Sequence, residues 1–104
     1  MDPDRTDFQV SDVVRSQAGR DADELFYVIG TEGDFLLLCD GKHRTLEKPK
    51  RKKRRHVQKV LRSETRVAAK LRNGDKVLNS ELRRDLAYLS SMLGRELQSN
   101  NLGG

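Results

Sequence analysis

Two apolar runs of five residues, Leu25-Phe26-Tyr27-Val28-Ile29 and Phe35-Leu36-Leu37-Leu38-Cys39, flank the turn-forming stretch Thr31-Glu32-Gly33-Asp34. Both runs are too short for a core helix and are bounded by Gly and Asp, which is the pattern of two strands joined as a hairpin. Asp40-Gly41, a strong turn dipeptide, ends the second run. Ahead of the hairpin, Phe8, Val10 and Val14 fall at even positions with polar residues between them, so a strand with one buried face is expected. Behind it, residues 42 to 46 can add a fourth strand, and His56-Val57-Gln58-Lys59-Val60-Leu61 can close the sheet as a fifth. That many short strands in roughly 55 residues predicts a mainly β fold, a small barrel or strongly bent sheet.

The C-terminal part changes period. Ser63 can cap a short helix in which Val67 and Leu71 lie one turn apart, ending near Asn73-Gly74. Asn79 or Ser80 can cap a second helix, with Leu82, Leu86, Leu89 and Leu93 at helical spacing and Gly94 as its stop. The leucine stripe reads as core packing. The expected organisation is a barrel over residues 8 to 62 with a basic loop at 48 to 56, a helical extension over 63 to 97, and flexible termini at 1 to 7 and 98 to 104.

Charge is strongly polarised along the chain. Residues 42 to 72 hold fourteen of the twenty-one Lys and Arg and only two acids, Glu47 and Glu64, a net of +12. Residues 1 to 41 carry three basic and ten acidic residues, and residues 73 to 104 carry four of each. The steepest part is Lys48-Pro49-Lys50-Arg51-Lys52-Lys53-Arg54-Arg55-His56, where Pro49 disfavours regular structure and a solvated loop is expected. Clustered positive charge repels itself unless a polyanion relieves it, and nucleic acid is the common one. Residues 48 to 56 contain no interleaved apolar side chains, so a membrane-surface anchor is not expected.

Other classes find little footing. There is one cysteine, Cys39, so an intrachain disulfide is excluded; Cys39 reads as a small buried apolar residue. Two histidines alone make no zinc site, and no metal or other cofactor is expected. The acidic start Met1-Asp2-Pro3-Asp4 lacks the apolar stretch of a secretory signal, and a reducing cytoplasmic setting is the default. Asp21, Asp23 and Glu24 cluster in sequence, but nothing marks a pocket that would tune a carboxylate pair, and no phosphate loop or nucleophile elbow is present. An enzyme is not expected, nor a small-molecule substrate.

The stretch Val13-Val14-Arg15-Ser16-Gln17-Ala18-Gly19-Arg20-Asp21, followed by Phe26-Tyr27-Val28-Ile29, resembles a KOW motif: a strand, a glycine-bearing loop and a second strand. Asp40-Gly41-Lys42-His43-Arg44, then Pro49-Lys50-Arg51-Lys52-Lys53, then His56, is similar to the small bacterial KOW proteins related to eukaryotic and archaeal large-subunit ribosomal proteins. The likeness covers residues 8 to 61 and, more loosely, Asn79-Ser80-Glu81-Leu82-Arg83-Arg84. The chain departs from that pattern at Ser11, where the family has glycine, and at Ala22-Asp23-Glu24, which replaces a glycine-containing turn. The resemblance implies an SH3-like barrel of KOW type that binds structured RNA, with Gly19 and Gly41 shaping its loops.

On that reading the RNA contacts are Arg15, Arg20, Lys42, His43 and Arg44 on or beside turns, with Lys48, Lys50, Arg51, Lys52, Lys53, Arg54, Arg55 and His56 from the basic run. Arg suits the task because its planar fork grips phosphate and stacks on bases. Arg20-Asp21 can equally form a local ion pair that orders the loop, and His56 can cap the loop rather than touch phosphate. Phe26, Tyr27 and Phe35 lie in apolar runs where packing claims them, so recognition by backbone and shape is expected over base stacking. The partner expected is ribosomal RNA or another structured RNA of the translation apparatus, bound by a monomer. The other reading is a KOW-type module that docks protein to protein in a transcription or translation complex, with the acids of residues 2 to 40 as its partner face.

Overall fold

The computed structural model of the chain describes the backbone of residues 7–102 and the side chains of residues 7–94. Five strands, β1 (Asp12–Ser16), β2 (Leu25–Glu32), β3 (Phe35–Cys39), β4 (Lys50–Lys53) and β5 (Val57–Arg62), precede two helices, α1 (Arg66–Asn73) and α2 (Asn79–Leu102). All pairings are antiparallel, in the order β4-β3-β2-β1-β5. β4 and β5 are neighbours in the chain but lie at opposite edges of the sheet, joined by a single 3-10 turn, Arg54–His56. A flat sheet would hold those edges about 19 Å apart, whereas three residues of 3-10 advance only about 6 Å. The sheet must therefore curl until its edges approach. Bulges bend it further, one in β5 at Val60 opposite Val13 and Val14, and one in β2 at Ile29. The fold is mainly β, an open, bent five-stranded antiparallel sheet compatible with a small barrel, followed by two helices.

Both faces of the sheet are covered. Phe8, Val14, Phe26, Val28, Leu36, Leu38 and Val57 form the core on one side. Val13, Tyr27 and Cys39 point the other way, against Ala68 of α1 and Leu82, Leu86 and Leu89 of α2. This is why the sequence of β2 is a continuous apolar run rather than an alternating one. Leu82, Leu86 and Leu89 of the α2 stripe pack as core, as their spacing predicts, while Leu93 is half-buried and lies outside that cluster. A polar network crosses this second layer. The Tyr27 hydroxyl hydrogen-bonds the Asp85 carboxylate of α2 and lies 2.8 Å from Ser63 Oγ. Thr65 Oγ1 donates to Asp85 at 2.8 Å while accepting the Ala68 amide at 3.1 Å. Burial, and then the neighbouring Asp85, push the Tyr27 hydroxyl up to about 12.

Several expectations need correction. The first strand begins only at Asp12, because Ser11 takes φ +78°, a conformation no strand continues through. Val13 and Val14 are both fully buried, so two faces of β1 are covered, not one. Residues 42 to 46 form no strand. One Asp40 carboxylate oxygen accepts the amides of Lys42, His43 and Arg44 at 2.9, 2.9 and 2.8 Å, which takes them from any ladder. The expected basic loop is instead β4 and the 3-10 turn: Leu36 pairs with Lys52 and Leu38 with Lys50. Pro49 stands just before this edge strand, where its missing amide costs no ladder bond.

At α1 the cap is Thr65 rather than Ser63, and Gly74 closes the helix in a left-handed conformation. Asn79 does not cap α2; its side chain reaches back to the 46–47 segment, accepting the Leu46 amide at 2.8 Å and donating to Glu47 at 2.9 Å. Helix α2 runs through Gly94 to Leu102, so the expected stop is absent and the expected flexible tail is helical as far as Leu102. One interior glycine costs about 1 kcal/mol, too little to end a long helix. Residues 1 to 6, 103 and 104 lie outside the described residues.

Candidate nucleic-acid interface

The loop between β1 and β2 is built around a lysine from the basic run. Lys52 is only 7% exposed. Its ammonium group donates to Ser16 Oγ at 2.5 Å, the Ala18 carbonyl at 2.6 Å and Asp21 Oδ1 at 2.7 Å. Those three acceptors satisfy every donor a lysine has. Lys50, two residues earlier and so on the same face of β4, pairs with Asp21 Oδ2 at 2.5 Å. Ser16 Oγ in turn donates to Asp21 at 2.7 Å. Burial works to raise the Asp21 carboxyl, but hydrogen bonds from Lys50, Lys52 and Ser16 outweigh it and hold the group well below the usual carboxylate range. The Ser-x-Ala-Gly-Arg-Asp element is thus a socket for a buried ammonium group. Lys52 leaves the set of candidate surface contacts, and Lys50 is largely committed to the same carboxylate.

Gly19 makes the socket possible. Its φ is +85°, and the atoms nearest to where a Cβ would stand are 3.8 Å away, so conformation and not space selects glycine. Asp23, in the same loop, holds φ +74° without being glycine, and its side chain is exposed. Opposite effects are expected at these two positions. Gly19→Ala should cost about 1 kcal/mol, while Asp23→Gly should gain about 0.5 kcal/mol, the relief of left-handed strain exceeding the extra chain entropy. Thermal melts of both variants at neutral pH check the pair; equal shifts of one sign would contradict the loop geometry.

Alternation along β4 turns Arg51 and Lys53 away from the socket. Arg51 lies 4.1 Å over the Phe35 ring and 3.5 Å from Glu32. Phe35 is therefore a half-buried ring roofed by a guanidinium, not a fully packed one. Arg54 donates to the Gly33 carbonyl at 2.7 Å and stands over Phe8. His56 is half-buried, and its backbone carbonyl accepts the Gln17 amide at 2.8 Å, tying the 3-10 turn to the β1–β2 loop.

Arg20, Lys42, His43, Arg44, Lys48, Lys53 and Arg55 are exposed. Among the described residues none of these seven has an acidic side chain at ion-pairing distance. The local Arg20–Asp21 pair is not formed, since Asp21 faces the β4 lysines. Arg15, Lys42 and His43 share a shallow cleft of about 310 Å³ with Arg83 of α2, Asp23 and Glu24. Arg83 was not among the sequence candidates, although it stands in the segment that resembles the family. Burial, then Asp40 and Glu47, push the Cys39 thiol up to about 12, and its Sγ donates to the Thr45 carbonyl at 3.1 Å, so it behaves as packing. Among the described residues no helix is long and apolar enough to cross a membrane, and no three His, Cys, Asp or Glu side chains group as metal ligands. No family model matches the chain, and no curated protein matches it significantly.

Proposed function

We propose that this protein binds structured RNA, most plainly ribosomal RNA, through phosphate backbone and shape, on an SH3-like barrel of KOW type. The observation that carries the reading is a set of six exposed cations, Arg20, Lys42, Arg44, Lys48, Lys53 and Arg55, that have no acidic partner among the described residues, beside a basic strand whose other charges are taken up by Asp21 and Glu32. A net charge of +12 over residues 42 to 72 repels itself unless a polyanion relieves it. Two further features support the KOW reading. Ser11, which stands where the family has glycine, and Asp23, within the Ala22-Asp23-Glu24 stretch that replaces a glycine-containing turn, both take positive φ, the conformation glycine supplies. Ser11 has a reason of its own to be serine: it is fully buried, and its hydroxyl accepts a bond from Arg72 at 2.8 Å. The protein-docking alternative loses part of its face, because Asp12, Asp21 and Asp40 are occupied by Lys59, by the two β4 lysines and by backbone amides.

The test is a salt titration against a folded RNA. If about five phosphates are neutralised, log affinity against log salt should slope by roughly −3.5 to −4.5. Replacing Arg44, Lys48, Lys53 and Arg55 by Gln should weaken binding at least about tenfold while leaving the melt unchanged, since none of the four is buried or ion-paired among the described residues. A slope near zero would remove the electrostatic basis of the reading and favour a protein partner.

A further inference from the structure

The sequence offers few rings for base stacking, yet beside the half-buried Phe35, which Arg51 covers, one aromatic side chain is largely exposed. Tyr88 is 58% exposed, whereas Phe26 and Tyr27 are at most 1% exposed. It sits on α2 one residue short of the leucine stripe, one turn beyond Arg84 and seven residues beyond Glu81. Helical spacing therefore sets Glu81, Arg84, Asp85 and Tyr88 along one stripe. Arg66 and Lys70 of α1, four residues apart, line the other side of the same groove, whose volume is about 510 Å³.

Charge in this groove is unevenly satisfied. Glu81 pairs with Lys70 at 3.3 Å across the two helices, and Asp85 is held by Tyr27 and Thr65. Arg66 and Arg84 are exposed and, among the described residues, have no acidic partner. The groove thus presents two uncommitted guanidinium groups beside a half-bare phenol ring. A flat π-face flanked by cations that can grip phosphate suits an unstacked nucleotide.

We propose that the α1/α2 groove is a second RNA contact, taking one unpaired base against Tyr88 with its flanking phosphates on Arg66 and Arg84. The inference rests on the RNA reading above and adds to it a preference for single-stranded nucleotides next to a helix, which the strand surface does not supply.

The experiment titrates the full chain with a blunt RNA duplex and with the same duplex bearing a short unpaired 3′ extension. The extended RNA should bind about tenfold more tightly. Tyr88→Leu should abolish that difference and leave affinity for the blunt duplex unchanged. Arg84→Gln should lower the salt slope by about one on the extended RNA. Tyrosine emission supplies a second readout, because Tyr27 is buried and Tyr88 is the exposed ring: the extended RNA should quench it and the blunt duplex should not. Equal binding of both RNAs by the unaltered protein, or a preference that survives Tyr88→Leu, overturns the proposal while the strand-surface reading stands. Failure to bind either RNA overturns both.

Discussion

Asp21→Asn is expected to cost about 3 kcal/mol of stability, the usual scale for breaking one partner out of a buried charge pair. Asp21 receives both Lys50 and Lys52, and Lys52 is the more deeply placed, with 7% of its side chain exposed. Removing the carboxylate charge leaves that ammonium group buried among neutral acceptors only. The same contact sets an acid limit. Because the folded carboxyl titrates well below its unfolded value, its stabilisation is full above pH of about 4 and is lost as pH falls toward the folded value. Urea melts between neutral pH and pH of about 2 should show a steep acid limb in the unaltered protein and a shallower one in Asp21→Asn. Lys52→Met should also destabilise, but the double variant should lose less than the two single losses combined, since Asp21→Asn strands the buried Lys52 charge and the double variant removes that charge. An Asp21→Asn protein that melts like the parent, with the same acid limb, would show that the socket is not closed in solution.

Gly41→Ala should be at least as damaging. Gly41 is at φ +79°, and a Cβ there would stand 2.2 Å from the Asn79 carbonyl oxygen and 2.9 Å from the Arg83 amide nitrogen. Both atoms belong to the backbone of α2, so no side-chain rotation relieves the overlap. The helix start must shift or the turn must open, and either breaks the two bonds that Asn79 makes to Leu46 and Glu47. A loss of about 3 kcal/mol or more is expected, on the scale of overpacking added to left-handed strain. Gly19→Ala, with the same sign of φ but room for a methyl group, provides the comparison at about 1 kcal/mol. If the two variants melt alike, α2 does not sit against the Asp40-Gly41 turn as described. Amide spectra of Gly41→Ala should report the change mainly at residues 40 to 47 and at the first turns of α2.

Much of the fold was legible because its signals are local. The apolar runs of β2 and β3, the turn residues between them, the last strand and the start of α2 are properties of a few adjacent residues, and each was found within about three positions, whereas the end of α2 was missed by eight. The turn glycines were legible for the same reason, since their backbone requirement is set within the turn itself. The errors fall where a side chain competes for the backbone, from two to four residues away at Asp40 and from thirty-three residues away at Asn79. Asp40 takes the amides that a fourth strand would need, and Asn79 spends its amide on Leu46 instead of capping its own helix. The basic run was read as solvated because Lys and Arg are normally exposed. Nothing adjacent to Lys52 in the sequence says that Asp21, thirty-one residues earlier, will neutralise it.

By itself the sequence determined a mainly β chain with C-terminal helices and a positive charge concentrated in its middle third, because strand period, helix period and charge are additive over neighbours. The tertiary structure decided which of those charges remain available. Pairing β4 with β3 alternates the basic run, sending Lys50 and Lys52 to Asp21 and leaving Arg51 and Lys53 outside. Packing α2 across the sheet decided that Leu82, Leu86 and Leu89 would be buried and Tyr88 exposed beside Arg66 and Arg84. Whether a cation is a strut or a contact depends on its desolvation and on acceptors brought from elsewhere in the chain, and only the folded sheet brings them.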